Sequence, residues 1–214
     1  MFKNYDQVIS LGYICNVPSY LKNANLRNKA YPFDRVATPM WAVYELIVNN
    51  FDQFLENLES KKLFIDNDDE FVVDTKYYTR LSIRKQNLID KLKEATKRRI
   101  GRFNDVLSDQ NKSVLFVRLE EPEHYDDLGD RIMFDEYASK YENDEKYYLV
   151  KLSDFLKNKY PNLNFKILFM SASGEFTDPE HNIVGIQKPD IANYRERKGI
   201  SKIKQTFLKN KQVL

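Results

Sequence analysis

A single cysteine among 214 residues, Cys15, excludes an internal disulfide and any disulfide framework. That scarcity fits a reducing, cytoplasmic compartment. Histidine is almost as rare, with only His124 and His181, far apart in the chain. Two histidines and one cysteine are too few for a dedicated zinc site, so no metal and no other cofactor is expected. No window approaches the roughly 18 apolar residues of a membrane span. The opening Met-Phe-Lys-Asn-Tyr-Asp places polar and acidic groups where a secretory signal needs an apolar stretch. An excess of one charge is missing too, with 34 basic against 32 acidic residues. Such a balance gives no strong nucleic-acid or anionic-membrane signal. No internal repeat or low-complexity linker interrupts the chain.

What remains is core material. Hydrophobic residues make up 42%, including 14 Phe and 14 Tyr, which excludes disorder for want of apolar surface. The length suits one substantial core, so residues 1–214 are read as a single domain. Short apolar runs at 8–12, 114–119, 165–170 and 183–186 predict buried strands. Helical spacing predicts helices over 13–23, from Pro39 through Ile47, over 86–107, 147–158 and 191–209. Phe51, Phe54, Leu55 and Leu58 continue the helical spacing after Ile47. Leu63 to Ile65, Phe71 to Val73 and Tyr77-Tyr78 suggest short strands around an acidic loop, and Glu120 to Glu145 is an acidic insertion. Strands alternating with helices predict an α/β fold: three layers, with a mostly parallel sheet and helices on both faces.

In such a sheet, ligands gather outside the carboxyl ends of the strands. The candidates are therefore Gly12, Tyr13 and Cys15 after the first strand. Arg118, Glu120 and His124 follow at the second, Ser171, Ser173 and Gly174 at the third, and Lys188 at the last. A cysteine in the first turn of a helix faces unpaired amides that stabilise a thiolate and can hold an oxyanion. The other reading of Cys15 is a buried space-filler. Arg118 ends an apolar strand and must meet a buried carboxylate or an anionic ligand. Ser171 and Ser173, the substrate-binding candidates of this turn, could present hydroxyls and amides to a phosphate, without the lysine and spacing of a nucleotide loop. Asp34 either orients a base or closes a local turn. Lys97, Arg98, Arg99 and Arg102 form a phosphate-binding run or a solvated helix face. Asp66, Asp68, Asp69 and Glu70 lack the spacing of a calcium loop.

Val8 to Cys15, Leu26-Arg27, Tyr31-Pro32-Phe33-Asp34, Arg98 to Phe103 and Val114 to Arg118 together resemble the putative papain-like cysteine peptidase family. This domain family of poorly established function occurs in bacteria and large DNA viruses. The resemblance covers roughly residues 6 to 175. It implies that Cys15 is a nucleophile served by a histidine base and an acidic or amide orienter. Two departures are visible: Arg35 replaces the aromatic residue that commonly follows Pro-Phe-Asp, and residues 76–83 contain no histidine. His124, with Asp126 and Asp127 nearby, is then the candidate base, with Asp34 or Asp126 as orienter. A buried strand ahead of the cysteine suits a three-layer hydrolase or transferase better than the long central helix of papain-type enzymes. The expected function is cysteine-dependent acyl chemistry on a peptide, acyl or glycan substrate. The alternatives are a catalytically inactive binding member and a sugar-modifying transferase of surface polysaccharide synthesis.

Overall fold

The computed structural model describes residues 5–13, 16–34, 36–62, 70–81, 88–120 and 144–187. Its strands are β1 (Gln7–Ser10), β2 (Val36–Ala37), β3 (Leu58–Lys62), β4 (Glu70–Asp74) and β5 (Thr79–Leu81), then β6 (Ser113–Leu119), β7 (Asn164–Ser171), β8 (Phe176–Asp178) and β9 (Ile183–Gln187). Its helices are α1 (Asn16–Asn23), α2 (Met40–Val48), α3 (Ile89–Ser108) and α4 (Glu145–Lys159).

The four apolar runs become β1, β6, β7 and β9, which pair in parallel in the order β1-β6-β7-β9, with β8 antiparallel on the far edge. They read as unbroken apolar runs because both faces of this sheet are covered. On one face, Val8, Leu115, Val117, Leu119, Leu168 and Met170 pack with Val17 and Leu21 of α1. On the other, Ile9, Leu11, Phe116, Ile167 and Phe169 pack with residues of α2, α3 and α4. The mixed α/β content and parallel-rich sheet agree with the sequence pattern.

Between β1 and β6 the chain builds a second, antiparallel sheet in the order β2-β5-β4-β3. Phe71 to Val73 fall in β4 as expected, whereas Tyr77 and Tyr78 lie in the turn before β5. The helical spacing of Phe51, Phe54, Leu55 and Leu58 does not make a helix. Phe51, Gln53 and Leu55 have φ of 61°, 55° and 66°, in the left-handed region that a right-handed helix cannot use, and Leu58 opens β3. The expected strand at 63–65 and helix at 191–209 lie outside the described residues.

A chain of aromatic contacts joins the Tyr31–Asp34 turn to the parallel sheet. Phe33 meets Phe103 edge-on at 6.3 Å, Phe103 meets Phe116 at 6.2 Å, and Phe116 meets Phe165 at 6.1 Å. All of these rings are buried. Each such burial contributes roughly 1.5–3 kcal/mol, so the turn is held against the sheet by packing as well as by polar bonds. On α3 the buried stripe is Ile89, Thr96, Phe103, Val106 and Leu107, while Leu88, just ahead of the helix, is exposed.

Candidate functional site

At the carboxyl end of β1 the chain makes a strained turn. The Leu11 amide still donates to Val117 O in the ladder at 2.8 Å, and the Gly12 amide donates to Ser10 Oγ at 3.1 Å. Gly12 and Tyr13 then both enter the left-handed region, at φ 82° and 76°. A Cβ on Gly12 would lie 3.5 Å from Phe33 Cβ and 3.8 Å from an Arg118 guanidinium nitrogen, ordinary contact distances, so it is the left-handed backbone that calls for glycine here. Tyr13 has no such freedom, and its conformation costs about 1–2 kcal/mol. Burial of its ring and the Arg118 guanidinium, 5.7 Å from the ring centroid, hold it there. Tyr13 is therefore not the first helical residue that the spacing predicts; α1 begins at Asn16. Cys15 and Ile14 lie outside the described residues.

Arg118, on β6, is fully buried beside this turn. One terminal nitrogen donates to Leu11 O at 3.1 Å and to Thr38 O at 2.8 Å. Nε donates to Glu145 Oε1 at 3.2 Å, and the other terminal nitrogen also bonds Glu145. Of the two readings that the sequence leaves open, a buried carboxylate is the partner observed. Glu145 is the first residue of α4, whose start is capped by Asp144 accepting from the Tyr147 amide. One guanidinium thus ties the end of β1, the residue after β2 and the start of α4.

Asp34 is buried at the end of the Tyr31–Asp34 turn. Its Oδ2 accepts from the Tyr31 amide at 2.8 Å and from Arg27 at 2.5 Å. Arg99 donates to its main-chain oxygen at 3.2 Å. Burial pushes the carboxyl above the usual carboxylate range, against the opposing pull of the Tyr31 amide and Arg27. Oδ1 is buried with no hydrogen-bond partner among the described residues. Arg27 and Arg99 were not linked to Asp34 by any sequence pattern, being 7 and 65 positions away.

At the carboxyl ends of β6 and β7, Glu120 reaches across to the Ser171–Gly174 turn. Ser171 Oγ donates to Glu120 Oε1 at 3.3 Å, and the Ala172 amide donates to Oε2. The Ser173 amide donates back to Ser171 Oγ at 3.0 Å, and Gly174 closes the turn at φ 87°. Gly12, Tyr13, Arg118, Ser171 and Ser173 therefore share one edge of the sheet.

His181 does not join them. It sits in the β8–β9 turn, at the opposite end of the sheet, with Nδ1 2.9 Å from Asp178 Oδ2. His124 and Lys188 lie outside the described residues. Among the described residues no three metal-ligating side chains cluster, and no helix is long and apolar enough to cross a membrane.

No curated protein and no solved structure matches the chain. A family profile does match residues 6–174, a span that takes in β1, the strained turn, Asp34, Arg118, Glu120, Ser171 and Ser173. By that match, over most of its length, the chain belongs to the family described as putative papain-like cysteine peptidase.

Proposed function

We propose that the chain is a cysteine-dependent acyl-group enzyme, a peptidase or acyltransferase, with Cys15 as nucleophile. The observation that carries this reading is the left-handed pair Gly12-Tyr13 at the carboxyl end of a buried parallel strand. Strain of this kind persists where the surroundings over-determine it, and it gathers at functional turns. Cys15 is two residues beyond Tyr13, within about 7 Å along the chain. His124 is four residues beyond Glu120 and can lie no more than about 14 Å from it, so the same edge is within its reach. Asp34 Oδ1, which has no partner among the described residues, offers an acceptor to an imidazole N–H.

In this reading, His124 takes the Cys15 proton and the sulfur bonds the substrate carbonyl carbon. Collapse of that adduct breaks the bond to the leaving group, which takes the proton from the imidazolium. Water or an acceptor nucleophile then cleaves the thioester and restores the thiol. Gly12, Tyr13, Ser171 and Ser173 line the substrate's path. Arg118 acts on the turn through its main-chain bonds, as a positioning residue. The fold is read as three layers, supported by α1 packing on one sheet face and α2, α3 and α4 on the other.

A second reading, a binding member without catalysis, is favoured by one observation. Residues 76–83 contain no histidine, which leaves His181, at the wrong end of the sheet, as the described alternative.

Alkylation of Cys15 in the folded protein, followed by mass spectrometry across pH, separates the two. A free thiol titrates near ~8.5 and activated ones lie lower. Rapid labelling with an inflection below neutrality, lost in His124→Ala, is the expected result. Labelling only on unfolding would sink the nucleophile and leave the binding module.

A further inference from the structure

We infer that the Ser171–Gly174 turn is a carboxylate-binding cradle, occupied here by the side chain of Glu120, and that it anchors the carboxylate of an acidic substrate. The parts of such a site are present. Ser171 is buried, and the amide of Ser173 fixes its hydroxyl by donating to it, so the hydroxyl proton is free to point outward to an oxyanion. The Ala172 amide supplies a second donor beside it. The two donors take the two oxygens of one carboxylate, Glu120 Oε1 and Oε2, separately. Charge-assisted bonds of this type are the strong ones, and two of them set the plane of the group. Glu120 is held nearby by its own amide, which donates to Met170 O at 3.0 Å, so it competes as an intramolecular ligand.

The cradle is placed to work with the turn after β1. Ser10, Val117 and Leu168 form one paired row across β1, β6 and β7. Tyr13 and Ser171 each lie three residues beyond that row. Neighbouring strands are about 4.8 Å apart, so the cradle is roughly 10 Å sideways from the end of β1. Three residues of extended peptide span the same distance. A peptide bound by its terminal carboxylate would thus present a carbonyl about three residues away to the turn that leads to Cys15. This placement rests on the reading of Cys15 as nucleophile, whereas the cradle itself does not.

The test is amide chemical-shift titration of the full chain, with Glu120→Ala and Glu120→Gln beside the natural protein. The probes are an N-acetyl tripeptide with a free carboxylate, its C-terminal amide, and glucuronate. The expected result is shifts at Ala172, Ser173 and Gly174 on adding a carboxylate, with dissociation in the millimolar range and about tenfold tighter in the Glu120 variants. Tripeptide acid alone identifies a peptide substrate, and glucuronate alone an acidic sugar. No shift in either variant at ~50 mM would overturn the inference, since millimolar binding saturates there. Equal binding of acid and amide, or equal affinity with and without Glu120, would overturn it too. Glu120→Gln keeps the side-chain shape if Glu120→Ala disturbs the turn, and the spectra themselves report the fold. Tripeptide binding at residues 172–174 that leaves Cys15 alkylation unchanged supports the cradle and overturns its placement toward Cys15, whereas the nucleophile itself is decided by the pH profile of alkylation.

Discussion

Arg118→Met leaves the Glu145 carboxylate buried without its cation and takes the donor from Leu11 O and Thr38 O. Breaking a buried ion pair by removing one partner costs about 3–5 kcal/mol. For a chain of this size that is a fall in Tm of roughly 6–20 °C, at about 2–4 °C per kcal/mol. The double variant Arg118→Met/Glu145→Leu removes both charges, and the ionic contribution then nearly cancels. What remains is the loss of a donor at two buried carbonyls, about 1–3 kcal/mol for each one left unsatisfied, which the single variant bears as well. The double variant should therefore be more stable than Arg118→Met alone, with a coupling energy of at least about 2 kcal/mol in the full cycle. Urea unfolding followed by far-ultraviolet circular dichroism measures all four corners, and calorimetry checks the Tm order. A single variant costing less than about 1 kcal/mol, or a double variant as unstable as the two singles summed, would refute a buried and mutually dependent pair.

Asp74 accepts from the Leu55, Lys76 and Tyr77 amides at 2.6, 3.1 and 3.4 Å. Asp74→Ala should cost about 1–3 kcal/mol in urea unfolding, because these partners lose a buried acceptor. Burial lifts the Asp74 carboxyl above its ordinary 3.8, so the folded chain holds that proton more tightly than the unfolded one. Its contribution to stability should accordingly fall as pH rises through the window above 3.8, and Asp74→Asn should flatten that slope. Gly12→Ala should cost about 1–2 kcal/mol through its left-handed backbone, with a matching drop in the urea midpoint.

The parallel strands were legible because a strand covered on both faces is an unbroken apolar run, as in Val114 to Leu119. The antiparallel sheet was not, apart from Phe71 to Val73 in β4. β2 has two residues and β5 three, too few for any period, and β3 reads Leu-Glu-Ser-Lys-Lys, without alternation. The false helix at Phe51 to Leu58 shows the converse, where spacing was right but left-handed residues broke the backbone. At the site, the apolar setting of Arg118 announced a buried partner, since an unpaired guanidinium there is too costly. That the partner would be Glu145, 27 positions on, is a fact of tertiary packing. The same holds for Arg27, Arg99 and Asp34, three residues that only the fold brings together.

The pairing of β1 with β6 bears on the order in which the chain acquires structure. Asp6 and Ser113, which bond at the start of this ladder, are 107 residues apart. The β3–β4–β5 sheet between them is built from neighbouring segments and can close early. β1 cannot. Closure over so long a loop is slow and is rewarded only once β6 is present. During synthesis the strand that leads to Cys15 therefore waits, without its hydrogen-bonded neighbour, until more than half the chain has emerged. The thiol next to that strand meets the redox conditions of its surroundings before the fold can shield or activate it. A single cysteine makes that interval safe from internal mispairing, and leaves small-molecule oxidants as the hazard to be met.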